Sequence, residues 1–250
     1  GIERINVRDN RLSGTVQLSS ELDALEDLLI GYNSLDGGLD MDMFPENLGL
    51  FICNDNALSG EFPLGGLPET LQGLLIHKNQ FCGSLALDAL PKDIQKFWAF
   101  HNSFSGSINL ESLPKSLQKL DVSFNMLCGT ITLKTLPESL TELSLRSNML
   151  SGTLDLSALS PSLKSFLLNR NSFQGNIDLR QLPPHMVELD LSNNAFDGVM
   201  TLGDLPQSLR IFSIGENSKI QKWAFVGKDR QMFDTVWKKR VVDMLLTTKD

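Results

Sequence analysis

Histidine, cysteine and long apolar runs are what this chain has least of. Its three histidines, His77, His101 and His185, are too few to support much acid–base catalysis by imidazole. No G-x-S-x-G, P-loop, HExxH or paired C-x-x-C pattern occurs, so the sequence points away from an enzyme, and it implies no cofactor. No apolar run approaches the ~18 residues needed to span a bilayer. The opening "GIERINVRDN" also lacks the apolar core of a signal peptide, so neither membrane insertion nor export can be read from these residues. Asn-x-Ser/Thr sequons are absent despite many asparagines.

Three cysteines remain, Cys53, Cys82 and Cys128. They offer no disulfide framework and lean toward a reducing, intracellular compartment. Basic charge is scarce too: the formal net charge is −8, which argues against a nucleic-acid binder, since neutralising phosphates needs clustered Lys and Arg. The distribution is uneven. Residues 228–250 carry six basic against four acidic residues, leaving the remainder at −10, and the simplest reading of the tail is a solvated helix face.

What the chain does have is a period. Asparagine stands at Asn10, Asn33, Asn56, Asn79, Asn102, Asn125, Asn148, Asn171, Asn194 and Asn217, a spacing of 23 residues held over ten copies without an insertion or deletion. With that Asn as position zero, apolar residues recur at −8, −5, −3, +2, +6, +8 and +11, Gly at +4 in nine copies, and Pro at +12 in most. The copy "LQKLDVSFNMLCGTITLKTLPES" shows every element. Alternation around −5 and −3 predicts a short strand with those side chains inward, so successive copies stack as a parallel sheet about 4.8 Å apart. The Asn sits where the chain leaves the strand and can bond free backbone groups of its own and the neighbouring copy. Alternation in "TITL" suggests a second short strand after the Gly, and Pro marks the return bend.

The L-x-x-L-x-L-x-x-N-x-L core resembles the leucine-rich repeat, here covering residues 2 to about 218. Its N-x-L-x-G-x-I-x-L continuation is similar to plant-type repeats and its L-P-x-S-L opening to bacterial and protist ones. The resemblance implies an α/β leucine-rich-repeat solenoid with the parallel sheet on a concave face and short strands or irregular turns opposite. Residues 1–227 are assigned to the solenoid and 228–250 to a closing helix. In that helix Phe233, Val236, Trp237, Val241, Met244 and Leu245 recur at helical spacing, with Asp234 as N-cap. At the other end Ile2 already occupies position −8, so further repeats or another domain are expected upstream.

Positions −6, −4 and −2 flank the inward side chains and therefore point out. Column −4 reads Asn6, Leu29, Ile52, Leu75, Trp98, Asp121, Ser144, Leu167, Asp190, Ser213, with four consecutive large apolar residues. Leu50 at −6, Asn54, His77 and Phe100 at −2, and Tyr32 and His101 at −1 extend it. Repeats two to five are thus expected to expose a contiguous apolar strip, the composition of an interface centre. The expected function is non-catalytic recognition of a protein or peptide through Leu29, Tyr32, Leu50, Ile52, Asn54, Leu75, His77, Trp98, Phe100 and His101. Self-association, packing on another domain of the same polypeptide, and service as the substrate-recognition portion of a larger enzyme or receptor are the alternatives. A metal site from Asp55, His77 and His101 is conceivable by proximity, but nothing fixes second-shell partners and none is assigned.

Overall fold

The computed structural model describes residues 1–19, 21–217, 219, 220, 222–229, 231 and 234. Each 23-residue copy makes one turn of a solenoid. The strands Arg4–Asn6, Asp27–Leu29, Leu50–Ile52, Gly73–Leu75, Lys96–Trp98, Lys119–Asp121, Glu142–Ser144, Ser165–Leu167, Glu188–Asp190 and Ile211–Ser213 form one ten-stranded sheet in chain order. All pair in parallel, and the register is unbroken: Leu29 lies opposite Ile52, Ile52 opposite Leu75, Leu75 opposite Trp98. The inward residues of successive strands, among them Phe51, Leu74, Phe97, Leu120, Leu143 and Phe166, are all but fully buried and run together as a single core. Phe44 and Phe51, and likewise Phe62 and Phe81, meet edge-on with ring centroids 5.1 Å apart.

The second strand of each turn lies earlier than the alternation in "TITL" suggested. It runs through the glycine, as at Met126–Gly129 and Gln80–Ser84, and eight such strands form a second parallel sheet. Two causes place it there. The N–H at position +2 is held by the next repeat's Asn, as Leu127 N–H is by Asn148 Oδ1 at 3.0 Å. Gly129 then takes φ +83°, where a Cβ-bearing residue is strained, and ends the strand. Only in the last repeats does the expected location hold strands: Ile177–Leu179, Val199–Leu202 and Lys222–Phe225 form a separate three-stranded sheet. Here side chains replace the missing ladder, with Asp197 accepting from Gly175 N–H and Asn176 from Val199 N–H. Within the turns of the solenoid the short 3-10 segments are Met41–Met43, Leu64–Gly66, Leu87–Ala89 and Leu156–Ala158, so the described solenoid is mainly parallel β-sheet. The closing helix expected across 228–250 lies outside the described residues, apart from Lys228, Asp229, Gln231 and Asp234.

Asparagine binds the turns together. Asn125 Nδ2 donates to Val122 O and Ser123 O of its own turn and to Ala99 O of the preceding one, at 3.0, 3.1 and 3.0 Å, while its Oδ1 accepts from Phe104 N–H at 3.0 Å. The pattern repeats from Asn33 to Asn194 with few omissions. A second ladder was not anticipated from sequence. The hydroxyl of the Ser or Thr before the repeat's first Leu reaches back to two carbonyls of the preceding turn: Ser116 to Lys92 O and Ile94 O, Ser139 to Lys115 O and Leu117 O. Thr70 and Ser208 do the same.

Replacing Asn125 by Ala strands several half-buried backbone groups, and a net loss of about 2–4 kcal/mol in urea unfolding is expected. Asn125→Asp, which cannot donate when ionised, should cost a similar amount at neutral pH. The Asn10 side chain bonds Val7 O and Arg8 O of its own turn and reaches no neighbouring turn among the described residues, so Asn10→Ala should cost below about 1 kcal/mol.

Candidate functional site on the ten-stranded sheet

The outward columns divide the sequence-predicted residues into three groups. Leu29, Ile52, Asn54 and His77 are buried, at 3, 9, 2 and 7% exposure. Leu50, Leu75, Trp98 and Phe100 are half-buried, and Tyr32 and His101 are exposed. Contrary to the expectation of a contiguous exposed strip, these columns are closed along part of their length. Strands about 4.8 Å apart stack each side chain on its column neighbours. Small residues in the flanking columns let larger ones lean across as well. An added Cβ on Gly73 would lie 2.6 Å from Leu50 Cδ1, and one on Gly31 would lie 2.7 Å from Asn54 Oδ1.

At repeats four to seven the rings gather. His77 stacks on Phe100 with centroids 4.2 Å apart and planes 18° apart, and Trp98 approaches both, at 5.8 Å from His77 and 6.3 Å from Phe100. His101 stacks on Phe124 at 4.1 Å and 8°, and the Arg146 guanidinium covers Phe124 at 4.9 Å. Lys96 Nζ lies 4.8 Å from the Trp98 ring centre. Phe124 and Arg146 were missed from sequence, although reading columns −1 and −2 one or two repeats further would have found them. Tyr32 stands apart from the rings, under Arg8 at 5.4 Å.

The −1 side chains owe their direction to the backbone. All ten, from Asp9 (φ 55°) through Tyr32, His101 and Phe124 to Glu216 (φ 56°), are left-handed. That conformation costs a residue with a Cβ roughly 1–2 kcal/mol. It is imposed by the flanking ladder: Tyr32 N–H donates to Asn54 O at 2.8 Å, and His101 N–H to Ser123 O at 3.0 Å.

Beside the rings lies a groove of about 790 Å³. Its apolar floor is Leu50, Ile52 and Leu75, widened at Gly49 and Gly73, and amides of Asn47, Gln72, Gln95 and Gln118 line it. Glu26 and Asp27 stand at one end, Lys96 and Lys119 at the other. Asp27 is paired with Arg4 at 3.5 Å and Lys119 with Glu142 at 2.7 Å. The run of glutamines at position −7 is the sequence signal for this wall.

His77 Nδ1 is buried with no partner among the described residues. Burial lowers the imidazole from its ordinary value to about 4; Asp55 opposes the shift, whereas Lys78, Arg8 and His101 add to it. Asp55 itself is engaged by Asn54 Nδ2 at 2.7 Å and Lys78 Nζ at 3.1 Å. Among the described residues no group of three His, Cys, Asp or Glu is placed to hold a metal, and no helix is long and apolar enough to cross a membrane. The three thiols are unpaired; Cys53 sits in the core, where burial pushes its titration far up.

No protein-family model matches the chain, and no curated protein matches it. Solved structures do. A TDR receptor superposes with a TM-score of 0.68 at 27% identity, over 90% of this chain and 39% of that one. The chain has the leucine-rich-repeat fold. A plant peptide hormone receptor, RGFR1 in complex with RGF2, shares the leucine-rich-repeat fold at TM-score 0.64 and 23% identity, over 90% of this chain and 43% of the receptor. A plant ice-binding protein matches at TM-score 0.58 and 28% identity, over 70% of this chain and 58% of that one. The chain thus spans less than half the length of both receptors.

Because folded His77 protonates near 4 and an unfolded histidine near 6.5, the unfolded chain binds more protons between those values. The stability that neutral His77 provides is complete above about pH 6.5 and is lost as pH falls toward 4, by up to about 3 kcal/mol. His77→Phe keeps a ring against Phe100 but cannot titrate. Urea midpoints taken across this window should fall less steeply in that variant than in wild type.

Proposed function

We propose that this chain is a non-catalytic recognition module that binds a protein or peptide through the concave face of the ten-stranded sheet, at repeats two to five. The observation that carries the reading is the groove of about 790 Å³ running beside the ring cluster. Its apolar floor offers burial to alternate side chains of an extended chain. Its amide wall offers the paired donors and acceptors that a peptide backbone needs. Spanning repeats two to six, about 19 Å at the strand spacing, it accommodates roughly six extended residues. A leucine-rich-repeat receptor of the same fold is seen in complex with the peptide hormone RGF2, which supports the reading.

A second reading has one observation behind it. Ser13, Thr15, Ser84, Ser105 and Ser107 are exposed on the eight-stranded sheet, and the chain is similar to a plant ice-binding protein. Asp36 and Glu61 interrupt this hydroxyl surface, which favours the first reading. On the second reading the protein arrests ice recrystallisation; unchanged ice-grain growth at micromolar protein eliminates it.

The peptide reading is tested by selection from a random dodecapeptide library. Wild type should enrich binders whose affinity falls at least tenfold in Trp98→Ser/Phe100→Ser. Both rings are half-buried, so this double variant should lose only about 2 kcal/mol, a Tm shift of several degrees. Phe97→Ala, at a fully buried ring, should cost about 3–5 kcal/mol instead. No enrichment, or equal binding by the double variant, sinks the proposal.

A further inference from the structure

A second depression on the same sheet, about 220 Å³, lies over repeats five to eight. It exists because the register puts Trp98, Asp121, Ser144 and Leu167 on consecutive strands, two small residues between two large ones. Trp98 and Phe100 form one wall and Leu167 the other, with Asp121 and Ser144 between. The volume corresponds to roughly seven waters at ~30 Å³ each, the scale of one long side chain.

Its chemistry is unfinished. Asp121 Oδ1 accepts from Ser123 N–H at 3.0 Å, and its other carboxylate oxygen has no partner among the described residues. The cation two residues away, Lys119, is already held by Glu142 at 2.7 Å on the pocket rim. Of the ionic lining groups Asp121 and Glu142 are acidic and Lys119 basic, so the pocket is net negative. Ser144 is 7% exposed, lines the pocket, and its hydroxyl has no partner among the described residues, an arrangement that costs free energy until a ligand group fills it. The adjoining indole already attracts the Lys96 ammonium, at 4.8 Å.

We propose that this pocket takes a basic side chain, arginine above lysine, of the bound polypeptide. The aliphatic stem lies along Trp98, Phe100 and Leu167. The guanidinium donates to the free oxygen of Asp121 and to Ser144 Oγ, two acceptors that a planar, forked donor reaches together and a point charge does not. The inference rests on the reading of this face as a polypeptide-binding surface and adds to it the class of residue being read.

The test uses the full chain and three blocked tripeptides, acetyl-Gly-Arg-Gly-amide, its lysine counterpart and its citrulline counterpart, which has arginine's shape without the charge. Binding is followed by NMR at the Trp98 indole N–H, assigned with Trp98→Phe. Saturable shifts in the order arginine, lysine, citrulline are expected, with citrulline at least about tenfold weaker. Asp121→Asn keeps the oxygen that caps Ser123 N–H, so it should fold as wild type while weakening the arginine probe at least about tenfold. Equal binding of arginine and citrulline, or no effect of Asp121→Asn, overturns the proposal. So does a library-selected peptide that binds wild type and Asp121→Asn alike, although recognition of peptides by the face would then stand. Arginine-probe binding with no library peptide selected supports the pocket and removes the peptide reading instead.

Discussion

The asparagine ladder is the constraint on which everything else in this molecule depends. Each interior Asn closes its own turn through the carbonyl at −3, and all but Asn171 through that at −2 too, while tying two neighbouring turns, so one side chain sets the exit from the strand and the spacing of the solenoid together. The left-handed residue just before it is a consequence. The backbone must reverse there for the amide to face the carbonyls it bonds, and the strain at ten such positions is offset by bonds along the whole stack. Where the outer sheet changes position after repeat eight, the ladder loses a rung: Asn217 still donates to three carbonyls, but its Oδ1 has no partner among the described residues.

Holding the register so firmly relaxes the structural demand on the outward columns, and they are where the chain becomes individual. A single column passes from Leu29, Ile52 and Leu75 through Trp98 to Asp121 and Ser144. Large residues beside small ones produce relief on an otherwise regular surface. Gly49 and Gly73 open the long groove, and Asp121 with Ser144 opens the small pocket beyond the rings. The ring cluster separates the two. A polypeptide lying along the sheet would meet an amide-walled apolar trough, then an aromatic ridge, then an acidic pocket.

The 23-residue period, the inward positions and the ladder asparagines followed from the sequence, because each is a local requirement repeated ten times and chance fails to imitate it. The residues at −5 and −3 proved buried from the second turn onward with no exception. Placement of the second strand did not follow. "TITL" alternates as a strand does, yet the Asn148 amide and the left-handed Gly129 fix pairing one step earlier. Ser116 and Ser139 likewise read as spacer residues until the preceding turn's carbonyls were seen beside them.

For the candidate site the division is the same. Sequence alone determined which residues share a column, hence that Leu50, Ile52, Leu75, Trp98 and Phe100 lie on one face, because side-chain direction in a strand alternates with period two. Tertiary structure decided how much of each is open. Leu29 and Ile52 are buried by neighbours 23 residues away, and His77 loses its water to Phe100. Nothing in the identities of Tyr32, His101 or Phe124 signals a left-handed backbone, so their direction, and the stack of His101 on Phe124, comes from adjacent turns. Burial and ring geometry are properties of the stack, and no single repeat contains them.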